Sequence, residues 1–196
     1  YMPNCVDQSL EKLKIYNNHY FKSDVFFAMS HGVHRGVLKK GKIDAREQLI
    51  KKLIDMTPNV KFDCYGLSGN QPIWSDDFLH SLSQNKIGLN LSQGKSSNFY
   101  SSDRLSQLIG NGLMVMIDEK TKIGSFFQKD EIVTYNNLSD LSEKIIKYSN
   151  DNKKRKEIAK KGRNKYFKYF NSKEIADFII NKKFSKNKKY YWEKFI

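Results

Sequence analysis

The sequence is poor in cysteine and proline, with two cysteines, Cys5 and Cys64, and three prolines in 196 residues. Two thiols build neither a disulfide framework nor a Cys-rich zinc site, and they fit a reducing, cytoplasmic setting. Long apolar runs are missing as well. Val25 to Met29 and Leu113 to Ile117 fall far short of the roughly 20 residues that a spanning helix needs. The histidines are His19, His31, His34 and His80. They offer one close pair, His31-x-x-His34, without a third ligand at metal spacing. Gly-x-Ser-x-Gly is absent, which removes the nucleophile elbow. Gly36-x4-Gly41-Lys42 runs into Ile43 where a P-loop needs Ser or Thr, and Gly-x-Gly-x-x-Gly is not found. Without paired carboxylates at a loop apex, glycoside hydrolysis has no support.

What the chain does have is aromatic bulk and positive charge. Thirteen Phe, 11 Tyr and 39% hydrophobic residues are enough to build the core of one ordinary domain and too many for a disordered chain. Lys and Arg number 35 against 21 Asp and Glu, a net charge of +14. That excess predicts an anionic partner: a nucleotide, a nucleic acid or a membrane face. A Lys bias spread over the whole surface without any patch is the alternative. Tyr1 is not an initiator Met and no signal-peptide pattern follows it, so the chain is expected to begin inside a longer protein.

The order of elements predicts the fold. Asp24 to Ser30 reads as a buried strand, and Asp44-x-x-Glu47 as a capping box before a helix carrying Leu49, Ile50, Leu53 and Ile54. Val60 to Leu67, Lys86 to Ser92, Leu113 to Ile117 and Glu131 to Tyr135 read as further strands. A helix over Asp77 to Leu82 and another starting at Ser101 or Ser102 fall between them, and the remainder is helical up to a loosely held basic tail. Strands alternating with helices give a Rossmann-like α/β fold, a parallel sheet with helices on both faces. The expected layout is an inter-domain linker with a leading helix over 1–22, the Rossmann-like domain over 23–184, and a basic aromatic tail over 185–196.

In such sheets ligands sit beyond the carboxyl ends of the strands. Three loops qualify: those after Ser30, after Leu67 and after Ser92. The third runs through Ser92, Gly94, Lys95 and Tyr100 into a helix start at Ser101-Ser102-Asp103-Arg104. Free amides and the helix dipole favour an anion there, and an Arg fork suits phosphate oxygens. Asp103 is placed to bond sugar hydroxyls. Alternatively, Ser102 and Asp103 only cap the helix and Arg104 is solvated. The first loop carries Arg35, Lys39 and Lys40, which either meet a diphosphate or form a solvated hairpin.

Several stretches resemble the C-terminal, nucleotide-sugar-binding domain of GT-B-type glycosyltransferases, in the group 1 and spore-maturation-protein-like branch. Tyr1-Met2-Pro3-Asn4-Cys5-Val6-Asp7 is similar to the linker that enters that domain. Val25 to Ser30 with Asp44-Ala45-Arg46 is similar to its first strand and Arg-bearing helix. Ser102-Asp103-Arg104-Leu105 through Gly110-Asn111-Gly112-Leu113 is similar to its Arg-x-x-Glu-x-x-Ala-x-Gly block. Glu131 to Tyr135, the helix after Leu138 and the helix from Ile158 to Phe170 match its ending, so that the likeness covers most of residues 1 to 184. Ser106 and Gln107 stand where many relatives carry a ribose-binding Glu, and Asp103 is the candidate substitute.

The resemblance implies a nucleoside diphosphate sugar donor bound without a metal or other cofactor. Arg35, Lys39, Lys95 and Arg104 would lie on the diphosphate, and Gly66 and Leu67 near the base. It also implies a glycan or lipid-linked acceptor, and a catalytic base on an N-terminal domain without which this chain transfers little or no sugar. A non-catalytic nucleotide-binding module of the same fold is the alternative, and a nucleic-acid-binding domain a weaker one, since basic charge comes here without a recognised nucleic-acid motif. Peripheral membrane contact by the Lys-rich helices after Asp151 competes with a plain solvated helix face.

Overall fold

The computed structural model describes residues 1–30, 44–92, 97–100, 102–184 and 187–196. The described residues form a five-stranded, all-parallel sheet in the order β2-β1-β3-β4-β5. Its strands are β1 (Ser23–Ala28), β2 (Phe62–Tyr65), β3 (Asn85–Asn90), β4 (Met114–Asp118) and β5 (Val133–Tyr135). The helices are α1 (Ala45–Met56), α2 (Ser75–Ser83), α3 (Asp103–Gly110), α4 (Leu138–Asn150), α5 (Asn152–Tyr169) and α6 (Ser172–Lys183). The chain steps from β1 out to β2 and then back past β1 to β3. The order thus reverses at β1 and opens a crevice beyond the carboxyl ends of β1 and β3.

Alternation along each strand feeds two cores. Phe26, Ala28, Val115 and Ile117 face α2, α3, α6 and the C-terminal residues. Val25, Phe27, Ile87, Leu89, Met114 and Met116 face α1 and α4. Helix α5 serves both: Ile158 and Ala159 belong to the second core, Tyr166 and Phe170 to the first. Its passage past the sheet is held by Arg163, which donates to the carbonyls of Gly110 (2.7 Å) and Glu11 (3.2 Å). It comes so close to the turn before β5 that a Cβ on Gly162 would lie 2.2 Å from the Glu131 carbonyl oxygen.

Strands and helices fall where the sequence puts them, with shifted ends. β2 and β5 are shorter than the apolar runs suggest, because Leu67 and Ile132 are buried as loop residues. Glu47 does not close the expected capping box. Asp44 caps α1 through the Arg46 amide, while Glu47 accepts from the Ser68 amide at 3.2 Å. The expected leading helix before Lys22 is a single 3-10 turn, Ile15–Asn17. That segment is held to the domain by Val6, whose amide and carbonyl pair with Phe170 and Ser172 at the α5–α6 corner.

The C-terminal tail is not loosely held in its described part. Trp192 and Tyr190 are buried, and the Tyr190 hydroxyl donates to Asp177 at 2.8 Å. Aromatic burial of this size outweighs the cost of ordering a few terminal residues.

Gly162→Ala tests the α5 crossing. The added methyl has no room against a backbone carbonyl, so the variant is expected to lose about 1–3 kcal/mol despite alanine's better helix propensity. Thermal unfolding checks this, and an unchanged melting temperature would contradict it.

Candidate functional site

At the crevice the strand ends are clamped by one side chain. Arg104, in the first turn of α3, donates from Nε to the Ala28 carbonyl (2.8 Å) and from Nη1 to the Leu91 carbonyl (2.9 Å). Ala28 ends β1 and Leu91 follows the last residue of β3, so the guanidinium ties the carboxyl ends of the two strands together. The guanidinium lies over the Phe27 ring, 5.0 Å from its centroid. Charge-assisted bonds of this kind are worth about 1.5–3 kcal/mol each.

On the far side of the sheet edge stands Arg46, in the first turn of α1. It is buried, and a bidentate fork holds it on Asp44, with Nε–Oδ1 at 3.0 Å and Nη2–Oδ2 at 2.7 Å. Asp44 serves twice, since its Oδ1 also caps α1 through the Arg46 amide at 2.7 Å. Burial, and next the positive field of Arg46, push the Arg104 guanidinium down to about 10. Arg46 thus acts on Arg104 through its field, second to burial among the causes of that shift. Asp44 pairs with Arg46 through its bidentate fork and opposes the shift of Arg104.

A cleft of about 580 Å³ opens beside this edge. Its walls include Ala28, Met29 and Ser30 from the end of β1, the start of α2, and Ser102, Asp103, Arg104 and Gln107 from α3. Ser102 occupies the capping position of α3, but its hydroxyl accepts no amide of the first turn. Asp103 and Tyr100 are exposed. Of the two residues in the place of the relatives' Glu, Gln107 lines the cleft, whereas Ser106 is buried and donates to the Asp103 carbonyl at 2.8 Å.

The expected site residues separate into groups. Ser102, Asp103 and Arg104 come together in the cleft wall, and Ser92 follows the Leu91 carbonyl that Arg104 holds. Arg104 is neither solvated nor wholly available: two of its donors are committed to backbone carbonyls. Gly66 closes β2 at φ +77, its amide bonded to the Asn70 carbonyl at 3.1 Å, and Leu67 turns into the α1/α4 core rather than into the cleft. Arg35, Lys39, Gly94, Lys95 and Ser101 lie outside the described residues, as do His31, His34 and Lys40. Among the described residues no three His, Cys, Asp or Glu side chains group as metal ligands.

Arg46 is the residue the sequence does not nominate for the site. Its signal is the pair Asp44-x-Arg46, a capping acid two residues before a base at the start of the helix after β1. That pattern predicts a capped helix, and only the fold brings Arg46 close enough for its field to act on Arg104.

The fold is one Rossmann-like half of the GT-B architecture. The sequence profile of the glycosyl transferase-like family matches residues 45–181, and the chain belongs to that family. No curated protein matches the sequence. Among solved structures, TarM is similar over 92% of this chain, with a TM-score of 0.58 and 14% identity. A variant of S. aureus TarM in complex with fondaparinux, α-GlcNAc-glycerol and UDP gives a TM-score of 0.55 and 14% identity over 86% of this chain. The chain spans 37% of the length of each. The C-terminal domain of a group 1 family glycosyl transferase, LpcC from Francisella tularensis, is matched at a TM-score of 0.49 and 11% identity, over 88% of this chain and 96% of that one.

Asp44→Asn tests the charge balance, because asparagine keeps the cap and removes the carboxylate. With Arg46 left unpaired beside Arg104, the variant is expected to lose about 3–5 kcal/mol. Millimolar pyrophosphate should restore part of the lost melting temperature. An unchanged melting temperature, or no rescue by the anion, would contradict the account.

Proposed function

We propose that this chain is the donor half of a glycosyltransferase and holds the diphosphate of a nucleoside diphosphate sugar at the carboxyl edge of β1 and β3. The reading is supported by Arg104, whose guanidinium is anchored at the ends of β1 and β3 on the wall of the cleft and lies in the positive field of Arg46. Fixed guanidinium groups and the first amides of α3 stabilise an anion without reorganising, and they do so most strongly where negative charge grows. When the bond between sugar and diphosphate breaks, the departing diphosphate gains charge. The two arginines oppose it directly, so the reaction proposed is metal-independent. Asp103 and Gln107, on the cleft wall, are assigned to hydroxyl groups of the donor.

An acceptor, a glycan or a lipid-linked sugar, approaches from the open side of the cleft and is deprotonated by a group outside these residues. Transfer then needs a second domain, and the chain alone binds donor without turning it over.

Calorimetry against UDP, GDP, ADP and CDP tests this reading. One nucleotide is expected to bind saturably, one to one, and to weaken by about tenfold or more when Arg46→Gln or Arg104→Gln removes a charged contact. Circular dichroism controls for folding. Binding that both variants leave intact, or no binding of any nucleotide, would overturn it.

A further inference from the structure

The opposite edge of the sheet carries a second concavity, which the donor reading does not use. It measures about 440 Å³ and lies at the amino ends of β1, β2 and β3, between the turn from α1 into β2 and the last turn of α4. Lys22, Lys61 and Lys86 line it, and Asp24 is the one carboxylate among its described walls. That carboxylate is already committed. Its Oδ1 accepts from Lys86 Nζ at 2.7 Å and its Oδ2 from the Lys61 amide at 2.9 Å. Lys22 and Lys61 are exposed, and their ammonium groups form no ion pair with a described residue.

Two buried donors at this wall lack partners. Ser149 lines the pocket and is buried, and its hydroxyl meets no hydrogen-bond partner among the described residues. A helical serine commonly bonds back to the carbonyl four residues earlier, and this one does not. Arg155 is wholly buried beside the lining residue Phe21, its guanidinium 4.7 Å from the ring centroid, and its Nε is likewise unpartnered. The ends of α1 and α4 present carbonyls that would repel an anion, but these are occupied. Thr57 Oγ donates to Leu53 at 2.7 Å, the Asn150 amide to Ile146 at 2.9 Å, and Lys86 Nζ to Ser149 at 3.2 Å. Two unopposed ammonium groups and the Arg155 charge outweigh two helix ends of about half a charge each.

Lysines with a hydroxyl donor suit one class of ligand. An ammonium group is a compact point charge that binds phosphate without demanding a planar partner, whereas a flat carboxylate is better served by an arginine fork. Two uncompensated ammonium groups match a phosphomonoester, which carries nearly two negative charges at neutral pH. The pocket is larger than a bare phosphate, and Val60 and Ile146 on its wall leave room and apolar surface for a small organic body.

We infer that Lys22, Lys61 and Ser149 form a second anion site, at the amino edge of the sheet, which takes the phosphate of a phosphomonoester. The two ammonium groups neutralise the dianion and the Ser149 hydroxyl donates to one of its oxygens. The site goes beyond the donor reading and stands on different residues, so either can fail alone. The ester is either a soluble metabolite or the headgroup of a lipid.

Nitrogen-15 NMR titration of the full chain with glucose 6-phosphate tests it, with glucose and with sodium chloride at matched ionic strength as controls. A parallel arm sediments the chain with phosphatidylcholine vesicles with and without phosphatidic acid. The amides of Lys22, Lys61 and Ser149 are expected to shift along one saturating curve with the soluble ester and with neither control, which assigns a metabolite. Sedimentation that requires phosphatidic acid, without a curve for the soluble ester, assigns a lipid headgroup. In either case the double variant Lys22→Gln, Lys61→Gln should weaken binding by about tenfold or more, and Ser149→Ala by about fivefold. Both lysine side chains are exposed, so the variants should keep the dispersed spectrum of the folded chain. Shifts confined to the amides of Ser102, Asp103 and Arg104 would put the phosphate in the crevice alone and overturn the proposal. So would an equal response to chloride, binding that the lysine variant leaves intact, or no response in either arm.

Discussion

The structure depends on one guanidinium. A parallel sheet leaves carbonyls unpaired where its strands end, and an active crevice must stay open at that place. Arg104 resolves the conflict by donating to Ala28 and Leu91 together, so that α3 is pinned to two strand ends while the crevice remains accessible. Nothing smaller reaches both carbonyls, and a neutral side chain would bring weaker bonds. The same commitment fixes the first turn of α3.

In the proposed reading, that second arginine turns a structural clamp into an electrostatic site. Asp44 shows how local and global demands coincide, since one carboxylate caps α1 and holds Arg46 with both oxygens. Like charges are kept together only where surrounding contacts over-determine them, and here the Phe27 ring, two carbonyls and the Asp44 fork supply those contacts. Such stored repulsion is released by an anion, which ties the packing of the sheet edge directly to the affinity of the cleft.

The layout of the fold was legible from residues alone, because continuous apolar strands and amphipathic helices alternate along the chain. The Asp44 cap was legible as well, although its partner amide is that of Arg46 and Glu47 turns to Ser68. The Ser102-Asp103-Arg104 start that the sequence singles out lies on one wall of the cleft. Side-chain commitments were not legible. Nothing local in the sequence says that Leu67 turns inward, that Gln107 rather than Ser106 meets the cleft, or that Tyr190 and Trp192 bury themselves against α6. Each of these is decided by a partner far away in the chain. Arg46 escaped for the same reason, because its partner Arg104 lies on another helix across the sheet.

The central claim is that Arg46 and Arg104 grip one anion together. Nitrogen-15 NMR of the arginine Nε–H groups during titration with a nucleoside diphosphate tests it most directly. The account predicts that these two resonances shift together along a single saturating curve, while Arg163, whose Nε and Nη2 are engaged with the Gly110 and Glu11 carbonyls, stays still. Shifts confined to exposed lysines, with both arginines unmoved at saturation, would contradict it.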